Sequence, residues 1–322
     1  MKILFLALIS LSLFASDVLT NYRLNGIESI EKHMDLELTS KVYWNDHLSK
    51  SDNTFGYIES YKNILTCNKD LSTLALYTKD TNNTYALKKK YNAFTGKEKG
   101  DKIKEGDLKT PIGVYNITKK LTKENKLNSF YGPLAFVTSY PNEYDKYRGK
   151  NGHGIWIHGL PTEQERDEFT QGCIAIDNPS IETLSENIDV HNTLLIINSD
   201  EVKQDVSREV LTSVLSELYS WRYSWLYDDI DAYLNFYSKD FIRFDGMDFD
   251  KFKTYKTRVF KKIEKKTIIF KDINVVPYPD TNNIYQITFY EYYKSDTFEF
   301  SGEKTLIVRL DKSNKMKILT EK

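Results

Sequence analysis

The stretch "HGIWIHGLPTEQERDEFTQGCIAIDN", His153 to Asn178, holds one of the two cysteines and two of the five histidines in a chain of 322 residues. Its ends, "GIWIHG" and "CIAID", read as short β-like runs, and the polar stretch between them reads as a loop. Two adjacent strands joined in this way bring His158 and Cys173 face to face. A thiol is a useful nucleophile only as thiolate, and a histidine brought close by the fold is its usual base. Gly172 lets the backbone turn tightly before the cysteine and turn N–H groups toward an oxyanion. Gly159 offers its carbonyl to the Nδ1–H of His158, which leaves Nε2 as the base. The residues permit each of these steps and force none. A zinc site would use His153, His158 and Cys173 with Asp177, but the H-x4-H spacing matches no recurrent zinc motif and leaves only three secure ligands. Cys173 as a small buried hydrophobe, or as a disulfide partner of Cys67, are the remaining readings.

The rest of the chain says how much of the protein is scaffold. At 322 residues it is too long for one typical core, so two or three domains are expected. A net charge of −1 gives no reason to expect nucleic acid as a partner. Aromatic residues make up 14%, with 23 tyrosines, which is enough for several cores and for stacking surfaces that suit sugars or peptides. The N-terminus, "MKILFLALISLSLFAS", has one lysine, an apolar run and a small-residue end, the pattern of a secretory signal over residues 1–16. No cysteine follows it to carry a lipid, and no later segment is apolar and long enough to span a membrane. An exported, soluble mature protein is expected.

Texture then divides the chain. Residues 17–63 carry apolar side chains at three- and four-residue spacings, including "GYIESYKNIL", and predict a small helical segment. That piece is too small for a core of its own and is expected to pack on a neighbour or on a second copy in a homodimer. Residues 64–200 are short β-like runs between turn-forming stretches, with one helix, "NPSIETLSENI", opened by cap-like chemistry. Residues 205–322 begin with an amphipathic helix broken near Asp228-Asp229, continue with a basic helix, and end in three strands, an α+β pattern. The fold class is therefore multidomain: mostly-β, then α+β, with a helical N-terminal segment.

At this point three segments in order resemble one family. "HG" followed by "TQGC", the Thr110-Pro111-Ile112-Gly113 segment with Tyr115, and "YGPLAFVTSYPN" are together similar to the YkuD-type L,D-transpeptidase fold. Most of that family carries an arginine two positions after the cysteine, where this chain has Ala175. That departure resembles the branch that hydrolyses peptidoglycan stem peptides, the periplasmic L,D-carboxypeptidases that set helical cell shape and carry an NTF2-like C-terminal domain. The region "WRYSWLYDDIDAYLNFYSKDF" looks like the opening helices of such a domain.

The resemblance implies Cys173 as nucleophile, His158 as base, Gly159 as the carbonyl that orients it, and the N–H groups of Gly172 and Cys173 as the oxyanion hole. It implies a peptidoglycan L,D-carboxypeptidase without metal or cofactor, acting in the periplasm on stem peptides and glycan. The alternatives are a transpeptidase that uses an amine acceptor to cross-link peptides or attach proteins, and a catalytically silent wall-binding protein. His153 is expected on the substrate side of the site. A substrate ending in carboxylates needs a cation, for which Arg148 and Lys150 stand nearest in sequence. In the C-terminal domain Trp221, Tyr223, Trp225, Tyr233 and Tyr237, facing Tyr285, Phe289, Tyr290 and Tyr292, suit a non-catalytic peptidoglycan pocket with Arg222 or Lys256 beside it.

Overall fold

The computed structural model describes residues 18–161, 169–200 and 206–322. The expected signal peptide and the central part of the loop before Cys173 lie outside these residues. After a helical stretch over 18–25 come α1 (Ile27–Glu37) and α2 (Lys41–Leu48), the latter capped by the Ser40 hydroxyl. Thirteen strands follow in two sheets: β1 (Tyr57–Ile58), β2 (Asn63–Asn68), β3 (Thr73–Lys79), β4 (Tyr85–Asn92), β5 (Gly113–Thr122), β6 (Leu134–Thr138), β7 (Trp156–His158), β8 (Ile174–Ala175), β9 (Thr193–Asn198), β10 (Thr267–Pro277), β11 (Ile284–Lys294), β12 (Glu299–Leu310) and β13 (Met316–Glu321). Between them run α3 (Glu143–Tyr147), α4 (Asn178–Asn187), α5 (Arg208–Leu226), α6 (Ile230–Asn235) and α7 (Phe249–Phe260).

An eight-stranded sheet, ordered β4-β3-β2-β9-β5-β6-β7-β8, forms the first domain. Its centre is β9, "TLLIIN", buried at every position and parallel to β2. A continuous apolar run of this kind belongs to a strand covered on both faces. The helix α4 closes one side through Ile181 and Leu184, and starts where the Asp177 carboxylate accepts from the Ser180 N–H with Pro179 in the first turn. The second sheet, β1-β10-β11-β12-β13, packs against α5, α6 and α7 around Trp221, Tyr233, Phe252, Phe270 and Val308.

The N-terminal segment is not a separate unit. Trp44, Leu48 and Tyr57 belong to the core of the C-terminal domain, and Arg222 on α5 pairs with Asp35 on α1 at 2.8 Å. The packing neighbour expected for this piece is thus α5 of the same chain. The expected helix over "GYIESYKNIL" is not formed: Tyr57 and Ile58 pair antiparallel with Val275 and Asn274 as the edge of the C-terminal sheet, and Asn63 begins β2. Its apolar spacing fits a helix, but Gly56 stands at φ +115° with a Cβ position only 2.1 Å from the Val275 carbonyl oxygen. That close approach holds the backbone extended along β10. The sheet also gains a strand that sequence reading passed over, the short β13 at the end of the chain.

A third apolar cluster joins the two domains. Phe55, Ile64, Val114, Leu194 and Ile196 from one side meet Val276, Tyr278, Ile284, Ile307 and Leu319 from the other. Each of these side chains, if fully exposed, would lose roughly 1.5–3 kcal/mol of burial. A chain ending near Asp200 is therefore expected to lose cooperative unfolding, measured by denaturant titration followed by tryptophan fluorescence. Cooperative two-state unfolding of that truncated chain would show that the shared core is dispensable.

Candidate active site

The site is assembled by the last two strands of the first sheet. β7 and β8 run parallel with Ile157 opposite Ile174 and His158 opposite Ala175. Ile157 and Ile174 are fully buried and point into the core. Strand alternation puts His158, Ala175 and the preceding Cys173 on the opposite face. Ile176 N–H donates to the His158 carbonyl at 3.0 Å and continues the pairing. Ala175 is held on both backbone groups by Phe94, at 2.7 and 2.9 Å, and its methyl group is the whole of its side chain on this face.

His158 is buried, and its Nδ1 lies 2.6 Å from the Gly159 carbonyl oxygen. A carbonyl only accepts, so Nδ1 carries the proton and Nε2 keeps its lone pair. Gly159 has no room for a side chain: a Cβ there would fall 2.4 Å from Asn178 Oδ1 and 2.8 Å from Pro133 Cδ. Cys173 is half-buried, with Sγ 3.4 Å from the Gly154 carbonyl oxygen. Cys67 lies in β2, fully buried, and burial pushes its thiol up to about 12. No disulfide joins the two.

Two side chains at the site were not singled out from sequence. Tyr131 sets the edge of its ring on His158 at 5.1 Å and packs on Trp156 at 4.8 Å. Burial first, and then the charge of Cys173, raise the phenol's pKa, so the hydroxyl keeps its proton beside the thiol. The sign was present in "YGPLAFVTSYPN", which begins with this residue. Thr170 staples the turn: its hydroxyl accepts from the Gly172 N–H at 3.0 Å and donates to the Cys173 carbonyl at 2.6 Å. That bond corrects one expectation. The Gly172 N–H is committed to Thr170, so it does not face an oxyanion, and Gly172 serves instead by its shape. It stands at φ +133°, and a Cβ would lie 2.8 Å from the Lys109 carbonyl oxygen.

Lys109 ends a loop that is itself fastened. The buried Lys69 ammonium donates to the carbonyls of Gly100 and Thr110 at 2.5 and 2.6 Å. Asp107 pairs with buried Lys102 at 2.8 Å and accepts from the N–H groups of Ile103, Lys104 and Lys109.

Of the residues expected on the substrate side, His153 is exposed, next to Gly154 and 3.7 Å from Glu105. Lys150 is not available to a ligand. Its side chain is 1% exposed and pairs with Asp101 at 2.5 Å and Asp145 at 3.0 Å. Arg148 pairs with the same two carboxylates and packs over the Tyr144 ring at 4.4 Å. Both cations are thus paired with Asp101 and Asp145. Asp177, counted in the zinc reading, is the cap of α4.

Residues 62–197 match the L,D-transpeptidase catalytic domain, YkuD, and residues 213–322 match the Cds6 C-terminal NTF2-like domain. The chain belongs to the L,D-transpeptidase family, in the form that carries an NTF2-like domain at the C-terminus. It is similar to the helical cell shape determining protein Pgp2 from Campylobacter jejuni, with 36% identity and a TM-score of 0.80 over 88% of this chain and 99% of that one. Bd1075 of Bdellovibrio bacteriovorus is 26% identical with a TM-score of 0.66, covering 85% of this chain and 96% of that chain. The match to Escherichia coli YafK is 31% identical over 85 residues, 26% of this chain and only 30% of that relative's length. The chain is thus placed among cell-wall enzymes. Among the described residues no helix is long and apolar enough to cross a membrane.

Replacing Asp107 tests the loop behind Cys173. Its carboxyl, although burial alone would raise it, is held well below the usual carboxylate range by Lys102 and three backbone donors. A depressed folded-state pKa gives stability that is present above the unfolded value near ~3.9 and lost only as pH falls through the folded value. Asp107→Asn should cost roughly 2–4 kcal/mol at pH 7 by stranding the Lys102 ammonium, and the difference from wild type should shrink below about pH 3. Denaturant midpoints across that range measure it.

Proposed function

We propose that this protein is an exported cysteine-type L,D-carboxypeptidase that removes the terminal D-alanine from peptidoglycan stem tetrapeptides and so contributes to cell shape. One observation carries the reading: His158, with its proton on the Gly159 side, shares a sheet face with Cys173, and only the Ala175 methyl group stands where most of the family has arginine. The Cys173 thiolate attacks the carbonyl of the residue before the terminal D-alanine. The oxyanion is received by the Cys173 N–H, and the Tyr131 ring stands against His158 beside it. His158 Nε2, protonated on forming the thiolate, gives its proton to the leaving amine, then takes one from water as it attacks the thioester. The tripeptide leaves and the thiol is restored. No metal or cofactor enters these steps.

Similarity to a cell-shape protein and to the L,D-transpeptidase catalytic domain supports the substrate class and an extracytoplasmic, periplasmic place of action. An amine in place of water would give the transpeptidase instead, and a silent wall-binding protein would give no product. Purified protein incubated with isolated muropeptides separates the three as tripeptide, cross-linked dimer, or unchanged substrate. The expected product is the tripeptide. Cys173→Ala should abolish its release with the fold intact, His158→Ala should slow it by about a hundredfold or more, and Cys67→Ala should leave turnover near normal. Near-normal turnover by folded Cys173→Ala would sink the cysteine mechanism.

We assign the C-terminal domain the task of holding the polymer. Its cavity, about 720 Å³, is lined by Trp225, Tyr255, Lys256, Tyr293, Phe298 and Phe300 among others. Most of the rings expected there are spent elsewhere: Trp221, Tyr233, Tyr237, Tyr285 and Phe289 are core, and Arg222 is bound to α1 and to the Ile268 carbonyl. Lys256 alone of the two expected cations faces the cavity.

A further inference from the structure

The cavity of the C-terminal domain is built with charges at positions where its own elements call for apolar side chains. Along the inward face of β11 the residues run Tyr285, Ile287, Phe289, Glu291, Tyr293, all buried. Along α7, Phe252 and Phe260 belong to the core and Lys256 stands between them, four residues from each. Sheet and helix thus place a carboxylate and an ammonium on the wall of one cavity.

Each charge is in an unusual setting. Glu291 is 2% exposed, and its Oε2 has no hydrogen-bond partner among the described residues. Burial raises its pKa, and the cations of Lys304 and Lys256 only partly oppose that. The Lys256 ammonium is surrounded by the rings of Trp225, Tyr233, Phe252 and Tyr255, at 4.8 to 5.9 Å, and burial pushes it down to about 8. The neighbouring Glu321 is already engaged: it accepts from the Tyr237 hydroxyl at 2.9 Å and lies 3.9 Å from Lys304. No ion pair within 4 Å joins Glu291 to Lys256 among the described residues. A buried carboxylate without a full set of donors is costly, and a cationic donor brought by a ligand removes that cost.

We propose that this cavity is a zwitterion site: Glu291 accepts an ammonium group of the ligand and Lys256 binds the carboxylate beside it, so the ligand presents a free amino-acid end. The inference rests on the reading of the domain as a holder of stem peptides, and it names the part of the peptide that is held. A diamino acid within a stem peptide carries such an end on its side chain. A glycan ring or a plain carboxylate satisfies Lys256 but leaves Glu291 unpartnered. A simple cation does the reverse. Both charges are satisfied only when the two ligand groups arrive together, which makes the site selective for the pair.

Calorimetric titration of the full-length protein tests this with three probes: a stem tripeptide ending in diaminopimelate, the same tripeptide with the side-chain amine acetylated, and free diaminopimelate. The tripeptide is the expected product, so it is not consumed. Wild type should bind the free-amine tripeptide about tenfold or more tightly than the acetylated one, the scale of one charge-assisted hydrogen bond. Glu291→Gln should erase that preference, leave the acetylated peptide bound as before, and raise the melting temperature of the unliganded protein because a buried charge is gone. Lys256→Met should weaken both peptides. Indifference of the wild type to acetylation, or an undiminished preference in Glu291→Gln, overturns the proposal. Free diaminopimelate binding as tightly as the tripeptide overturns the stem peptide as occupant. Tripeptide release from tetrapeptide, assayed on the same samples, is independent: its absence with the amine preference intact would fell the catalytic reading and leave this site standing.

Discussion

Two carboxylates, one fully buried and one partly so, and the cations between them hold the catalytic domain together. Asp145 is fully buried, accepts from the Tyr115 hydroxyl at 3.0 Å, and pairs with Arg148 and Lys150. Asp101 shares both cations and accepts from the Ile112 N–H at 2.8 Å, in the middle of the Thr-Pro-x-Gly segment. Removing one member of such a group strands the others and costs roughly 3–5 kcal/mol. The cluster fixes the loop from Arg148 to Gly154, whose last carbonyl touches Cys173 Sγ, and the loop ending at Lys109, which backs Gly172. The surroundings of Cys173 are therefore set from behind by charge pairing rather than by its own strand alone.

The same cluster reaches across the domain boundary. The Tyr278 hydroxyl, from just beyond β10, accepts from Asn142 Nδ2 at 3.0 Å, and the Tyr278 ring meets Tyr144 edge-on at 4.6 Å. Burial raises the phenols of Tyr115 and Tyr278 well above their ordinary range, so both stay neutral. Gly113 explains its place here. A Cβ would come 2.5 Å from both of these hydroxyls, so the absent side chain is what admits a tyrosine from the other domain.

How much of this was legible depends on whether chemistry or packing decided the residue. The contact of His158 Nδ1 with the Gly159 carbonyl and the shared sheet face of His158 and Cys173 were legible because what an imidazole and a thiol need from their neighbours is local. The β-runs from Thr73 to Asn198 were readable because each is bounded by turn residues. Arg148 and Lys150 pair elsewhere because nearness in sequence to the motif says nothing of which face a side chain takes: a local acid, Asp145, and a remote one, Asp101, hold both. Gly172 was placed by its freedom to turn, whereas the partner of its N–H was set by a threonine two residues back. The helical spacing around Tyr57 and Ile58 misleads because a few apolar residues at three- and four-residue intervals cannot show that the distant strand β10 will pair with them.

That pairing has a consequence for how the molecule comes into being. Ser60 bonds to Asn274, 214 residues further along, and β1 pairs with β10 across a comparable separation. Contacts so remote carry a large loop-closure entropy, and they slow the search for the native state. The edge of the last sheet stays unclosed until nearly all of the chain has been synthesised. The two halves therefore mature together, and a C-terminal domain acquired from another lineage would have to accept this edge strand before the enzyme in front of it could settle.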